Sequence, residues 1–358
     1  MALFPAALSV SICSGFGVNG AVITALVCCI FSVLCGRFFA PSWLTALPIF
    51  FLSFRFSPSV ACIATALSGV FVFILSKLPK KTFLSPDIRA GFLLAAALCT
   101  TALQTTNYFG IGAVGADAVE IIKDYISLGF HGNWRGVLYG TVVLVTMVTY
   151  PRKFKNFSKK VPASFVSIVI TLSMNLLLNR SREFTPINEI VPVDAISLFD
   201  NAFFIGPFDV KSIPLILCTA VAIALIVTQF YPTDETSTKK LLVFSAVNTA
   251  GGFFGAVPVA TADNKKRTPL SGAVCMIVCA VFFFVCPFVF ERIPLHSLAV
   301  ILIVSAWQSV EWSQIGKAFK GGAVSVIFFV LSFITAFLAG AHYALPMLLI
   351  LSTAKNNK

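Results

Sequence analysis

Apolar runs of membrane-spanning length recur from one end of this chain to the other, and the hinges between them alternate in charge. A bilayer core takes roughly 20 helical residues to cross, and it admits only backbone whose polar groups are satisfied internally. A chain patterned this way folds as a bundle of membrane helices. Composition agrees where it bears on the choice: 11% of residues are charged, against about 25% in soluble domains, and mean hydropathy is +0.94. The opening "MALFPAALSV" has no Lys or Arg ahead of its apolar run, so it does not read as a typical signal peptide.

A net charge of +12 raises the question of nucleic acid, and its placement answers it. Bases gather in alternate hinges: Lys77 to Arg89, Arg152 to Lys160, Lys239 and Lys240, Lys265 to Arg267, Lys317 and Lys320, then Lys355 and Lys358. Acids gather in the others: Asp117, Glu120 and Asp124, then Glu183 to Asp209. That is the positive-inside pattern. It predicts a multi-pass protein of the plasma (inner) membrane with both termini cytoplasmic and residues 179–212 as an external connection.

On that topology the segments fall at 3–14, 20–35, 41–54, 58–76, 88–106, 135–150 and 162–178. The second half gives 213–231, 241–256, 258–265, 269–289, 293–310, 323–338 and 341–354. Two sets of seven suggest duplication, and the text offers a weak internal match. "GRFFAPSWLTA" (36–46) resembles "GGFFGAVPVATA" (251–262), with Pro41 facing Pro258; Pro86 likewise faces Pro294. Seven is odd, so the copies lie in opposite orientations. The domain expectation is a first inverted repeat over 1–178 with a truncated first span, a second over 213–354, and no cytoplasmic regulatory domain.

"GAVPVATADNKKRTPLSG" (255–272) places an acid and three bases between two apolar segments. The roughly eight residues from Val259 to Lys266 would reach about 12 Å as a helix, enough to run from the midplane to the cytoplasmic surface. One reading is a half-helix whose Val259, Ala260 and Thr261 amides face a substrate, with Lys265 and Lys266 complementing its C-terminal dipole. The other is a hairpin loop between full spans. Residues alone leave both open.

Metal chemistry finds little support. His131, His296 and His342 are isolated, and the ten cysteines lie in apolar runs without zinc-type spacing, as buried small hydrophobes do. Cys275 and Cys279 share a helix face, which without further ligands is packing. No cofactor is expected, and no nucleophile or acid–base constellation marks an enzyme.

Four stretches resemble the SulP family of sulfate-permease-like anion transporters: "FLSPDIRAGFLLAAALCTTALQTTNYFGIGA" (83–113), "AVNTAGGFFGAVPVA" (246–260), "RTPLSGAV" (267–274) and "IPLHSLAVILIVSAWQSVEW" (293–312). The resemblance implies an all-α polytopic membrane protein, a seven-plus-seven inverted repeat with core and gate domains and two short broken half-helices. It implies carriage of a small inorganic or carboxylate anion, sulfate- or bicarbonate-like, bound between the half-helices. H+ or Na+ coupling and a homodimer come with it as open expectations. The match also has departures. The family's Pro-Gln-Ser element reads Pro5-Ala6-Ala7 here, its eighth-span acid is matched by Gln229 and its tenth segment is shortened; a counterpart of its terminal STAS domain is not expected.

The expected substrate contacts are Phe4, Ala6, Ser42, Trp43, Gln229, Ala260 and Thr261. Phe4 and Trp43 equally suit packing, Ser42 and Thr261 equally suit helix capping, and Gln229 equally suits a bridge between helices. A non-transporting membrane scaffold and a nucleobase permease of related fold stand as alternatives.

Overall fold

A computed structural model describes all residues except 1–2, 79–83, 130–131, 160, 179–208, 231–237, 263–268, 286 and 357–358. In chain order, helices α1 (Leu3–Cys13) and α2 (Gly17–Cys35) lead into strand β1 (Phe39–Pro41) and the short helix α3 (Trp43–Arg55). Then come α4 (Pro58–Lys77), α5 (Pro86–Phe109), α6 (Ala118–Leu128), α7 (Trp134–Lys153), α8 (Lys155–Ser158) and α9 (Ala163–Leu178). The second half opens with α10 (Ile213–Leu225), whose end widens into a π-helix over Ile226–Phe230, and continues with α11 (Thr238–Phe254) and strand β2 (Val259–Ala262). It closes with α12 (Pro269–Val285), α13 (Leu295–Ser309), α14 (Trp312–Lys320) and α15 (Ala323–Asn356).

Helices start where a side chain takes up first-turn amides. Ser57 accepts from Val60 N ahead of Pro58, Asp117 accepts from the amides of Val119 and Glu120, and Asn133 accepts from Arg135 N. Gly36 and Gly110, both left-handed, end α2 and α5. The 34 residues of α15 would span about 51 Å if straight, far beyond a bilayer core of ≈ 30 Å. Gly340, at φ 71 and ψ 162, divides them into two legs, at the place where the sequence separates 323–338 from 341–354.

Among the described residues five helices are long and apolar enough to cross a membrane: Gly17–Cys35, Pro58–Lys77, Pro86–Phe109, Val210–Phe230 and Ala323–Ser352. Leu295–Ser309 and Trp312–Lys320 form a sixth candidate bent by 41°. Helix α14 is an addition to the sequence reading, which treats 311–322 as a connection. It is amphipathic, with Trp312 and Phe319 exposed and Ala318 buried. Of the external connection, 179–208 lie outside the described residues.

Small residues let the main helix pairs close. A Cβ on Gly69 of α4 would lie 2.2 Å from Thr249 Oγ1 and 2.5 Å from Ser245 O of α11, and one on Gly252 of α11 would lie 2.4 Å from Ala66 N of α4. Gly91 of α5 packs in the same way on Phe329 O and Ser332 Oγ of α15. Interfaces of this kind replace the hydrophobic drive that is absent between helices in lipid. Two ion pairs join elements that the charge pattern puts on the same side: Arg55 with Glu120, and Arg89 with Glu311 at 2.9 Å.

β1 and β2 pair antiparallel, with Phe39 opposite Ala262, Ala40 opposite Thr261 and Pro41 opposite Val259. The segments around Pro41 and Pro258 therefore meet, as the duplication reading requires. Of the two readings left open for this stretch, a half-helix beginning at Val259 is not what forms: Val259–Ala262 is a strand. The reason is a partner the sequence does not show, because β1 supplies the ladder that these four residues complete.

Candidate functional site

The strand pair ends where α3 begins. Ser42, 4% exposed, caps that helix by accepting from Leu44 N at 3.2 Å. Thr45 Oγ1 donates to Ser42 O at 2.8 Å and to Pro258 O at 3.2 Å. One hydroxyl thus joins the first turn of α3 to the entry of β2. Trp43, 6% exposed, donates from Nε1 to Ser309 Oγ of α13 at 3.0 Å. Trp307 Nε1 in turn donates to Thr101 Oγ1 of α5 at 2.9 Å. The N-terminus of α3, carrying the positive end of a helix dipole, is therefore enclosed by strands, α13 and aromatic rings.

Three side chains fix β2 and its entry, two of them buried. Asn248 of α11, 1% exposed, clamps Val259 from both sides: its Nδ2 donates to Val259 O at 3.1 Å and its Oδ1 accepts from Val259 N at 2.8 Å. Thr24 Oγ1 of α2 accepts from Val257 N at 2.9 Å. Thr261 Oγ1 donates to Ala40 O at 2.9 Å. The Val259 amide is accordingly occupied by Asn248 and is not offered to a substrate, a second correction to the half-helix reading. Thr261 reinforces the ladder instead of capping a helix. Asn248 escaped the sequence reading because one amide in "AVNTAGG" looks like small-residue packing.

The other expected residues distribute around this centre. Ala6 is half-buried on α1, which packs against β1 and α3; the side chain of Phe4 lies outside the described ones. Gln229 sits in the π-helix that touches β2, and its carbonyl lies 3.4 Å from Arg89 Nη1. Ala260 is fully buried in β2. The elements bearing the predicted residues thus converge on the strand pair, with Ser42 and Trp43 at its end.

Beside the ladder lies a cavity of ≈ 210 Å³ bounded by Phe39 of β1, Ala262 of β2 and Phe244 of α11, and lined by the cations Arg37, Lys239 and Lys240. Arg37 Nη1 is buried without a hydrogen-bond partner among the described residues. Lys239 and Lys240 stand in the first turn of α11, where positive charge opposes the helix dipole by typically ~0.3–1 kcal/mol each. The sequence marks these bases only as cytoplasmic hinges; the structure gathers them at one opening.

Cys275 and Cys279 also prove to have a third neighbour. Cys29 of α2 brings its Sγ to them, the three sulfurs lying within 4.8 Å of one another. The Cys275–Cys279 face therefore has a third sulfur beside it, where the sequence pattern shows only two.

The sequence profile of the sulfate permease family matches residues 5–335. No curated protein sequence matches the chain. Among solved structures, the transmembrane domain of a cyanobacterium bicarbonate transporter, BicA, aligns with a TM-score of 0.75 at 16% identity, covering 96% of this chain and 94% of that one. SLC26A9 aligns at 0.78 and 12% identity, over 98% of this chain and 62% of its own. Murine Slc26a9, an anion transporter in the inward-facing state, aligns at 0.77 and 12% identity, over 98% and 66%. The chain thus spans less than two thirds of the SLC26A9 chains. Likeness at these identities shows a shared fold, the seven-plus-seven inverted repeat.

Proposed function

The chain belongs to the sulfate permease family, and from that premise we propose that it is a secondary transporter of a small inorganic or carboxylate anion, sulfate- or bicarbonate-like. The observation that carries the reading is the capped N-terminus of α3 at the end of the β1–β2 ladder, with Trp43 held beside it. A helix start of this kind favours an anion through its dipole and amides. In a low-dielectric setting it does so without an ionised side chain.

In this reading Ser42 and Trp43 border the anion, Ala260 and Thr261 form its floor through the ladder, and Phe4, Ala6 and Gln229 complete the surround. The Arg37–Lys239–Lys240 cavity supports the reading as an inner approach, since cations lining a cleft raise the local anion concentration. Gln229 does not ionise, so it would not itself carry a coupled proton; H+ or Na+ coupling belongs to the proposal without a residue assigned to it. The repeat boundaries given above, a plasma-membrane location with cytoplasmic termini, and a homodimer belong to the same proposal.

Uptake by vesicles containing the purified chain tests it, using labelled sulfate, bicarbonate, chloride and oxalate in turn. Saturable uptake of at least one anion, competed by unlabelled anion, is expected. Uptake of none above protein-free vesicles would remove the carrier reading.

A further inference from the structure

Cys29 lies on α2 and Cys275 and Cys279 on α12, yet their sulfurs all fall within 4.8 Å of one another. Cys275 and Cys279 are one helical turn apart, so their side chains share a face. That face turns toward α2 because α12 comes very close there. A Cβ on Gly272 would lie 2.9 Å from Val33 Cγ2 and 3.0 Å from Val33 N. The glycine thus brings the two backbones together one turn from the thiols.

Depth is consistent from both sides. Cys29 precedes Cys35, the last residue of α2, by six positions, and Cys275 follows Pro269, the first residue of α12, by six. Each count corresponds to roughly 9 Å along a helix. Cys29 and Cys279 are buried while Cys275 is half-buried, which leaves a route for an incoming ion.

We propose that Cys29, Cys275 and Cys279 form a three-thiolate site for a soft divalent d10 metal ion of the Zn(II) class, joining α2 to α12. The donor set is all sulfur, and sulfur ligands select soft ions over Mg(II), Ca(II) or Mn(II). With metal–sulfur bonds near 2.3 Å, three sulfurs around one ion lie about 3.8–4.0 Å apart. The observed spacing reaches that value by small side-chain shifts, without moving either helix. Charge decides among soft ions. Three thiolates carry −3, so a divalent ion leaves −1 and Cu(I) leaves −2, and residual charge is costly below a membrane surface. Binding converts three thiols and one M(II) into a tris-thiolate complex and three protons, with no change of oxidation state. Affinity therefore rises with pH. The fourth coordination position stays open to water. None of this depends on the transport reading.

The test uses the full chain in detergent with a non-thiol reductant and Cd(II) as the probe, because cadmium thiolates absorb in the ultraviolet. One Cd(II) per chain is expected to saturate that absorption, Zn(II) to displace it, and binding to tighten between pH 6 and 8. Cys29→Ser removes one of three direct ligands and should weaken binding by more than the roughly 10–100-fold typical of losing an outer-shell partner, while Cys218→Ser, on α10, should leave it unchanged. Should Cys29→Ser fold poorly, the unmodified chain still decides the matter. Bound Zn(II) should slow alkylation of Cys29, Cys275 and Cys279 together, as read by mass spectrometry, and not that of Cys218. Absence of a saturable cadmium band, or equal alkylation rates with and without Zn(II), would reduce the three thiols to packing groups. Binding of Cu(I) alone would overturn the divalent assignment.

Discussion

The hydroxyl of Thr45 donates to the carbonyl of Pro258, 213 positions later in the chain and 3.2 Å away. One bond thereby joins the first turn of a short helix in one half to the strand entry in the other. Around it, Asn248 holds both polar groups of Val259 and Thr24 holds the amide of Val257. The strand pair is short, and a three- or four-residue ladder has little stability of its own. Buried side-chain hydrogen bonds supply what the ladder lacks.

Asn248 therefore bears most on the shape of the centre. Asn248→Leu leaves the N–H and C=O of Val259 buried and unsatisfied, each costing ~1–3 kcal/mol. The expected result is a clear fall in thermal midpoint in detergent together with lost anion uptake. Asn248→Asp retains the acceptor for Val259 N and should fall between the two. A Leu variant as stable as the parent would show that the clamp is dispensable.

Gly69 and Gly252 predict a pure packing defect. Each faces backbone of the partner helix closer than any Cβ tolerates, so Gly69→Val or Gly252→Val must separate α4 from α11. Overpacking of this kind costs typically ~1–3 kcal/mol. Size-exclusion profiles and thermal melts of each variant should both deteriorate, whereas Gly316→Ala, which has open space around it, should match the parent.

Helix spans were legible in the sequence because lipid imposes a length and water imposes charge on the hinges. Even the division of α15 followed from length, with Gly340 as its physical agent. What escaped was everything set by a distant partner. "VATA" has β-branched residues at alternate positions, but four residues are too few to mark a strand without its partner, Phe39–Pro41. Helix α14 has nine residues and enough Lys, Gln and Ser to pass for a connection. Arg37, Lys239 and Lys240 read correctly as basic hinges, but their gathering at one cavity depends on where α2 ends and α11 begins. Cys29 could not be joined to Cys275 and Cys279 without knowing that Gly272 lets those helices touch. Of the seven expected contacts, Ser42 and Trp43 stand where the helix start was foreseen, and Thr261 has a different local role from the one expected.

Topology offers a test independent of transport. Bases cluster from Arg152 to Lys160, while acids gather between Glu183 and Asp209, so the positive-inside rule predicts that α9 crosses the membrane between them. Reporter fusions after Lys160 and after Asn201 should report the cytoplasmic and external sides respectively. The same side for both would end this arrangement.

The basic cavity predicts a steering effect. Arg37→Gln, or Lys239→Gln with Lys240→Gln, removes charge beside the ladder without touching α3. Apparent KM for the anion should rise several-fold, with maximal velocity nearly unchanged, and the difference should shrink as salt rises toward ~1 M, where the Debye length is about 3 Å. Equal loss of velocity and affinity at every salt concentration would instead assign the cavity a structural role.

Ser42 gives the sharpest test of the anion site, because cap and charge can be separated there. Asp is as good an N-cap as Ser, so Ser42→Asp keeps the bond to Leu44 N and complements the dipole of α3. Position 42 is 4% exposed, so burying a carboxylate there costs stability that the cap and the dipole offset only in part, and a lowered thermal midpoint with the fold retained is expected. An anion bound at the same helix start would now face a fixed negative charge. At an effective dielectric of about 20, two unit charges 4 Å apart repel by roughly 4 kcal/mol, which corresponds to nearly a thousandfold loss of affinity. Thr261→Val, by contrast, loses one hydrogen bond to Ala40 O and adds no charge, so uptake should persist with stability lowered by about 1 kcal/mol. A stable Ser42→Asp protein that still accumulates the anion at the parental rate would place the substrate away from α3.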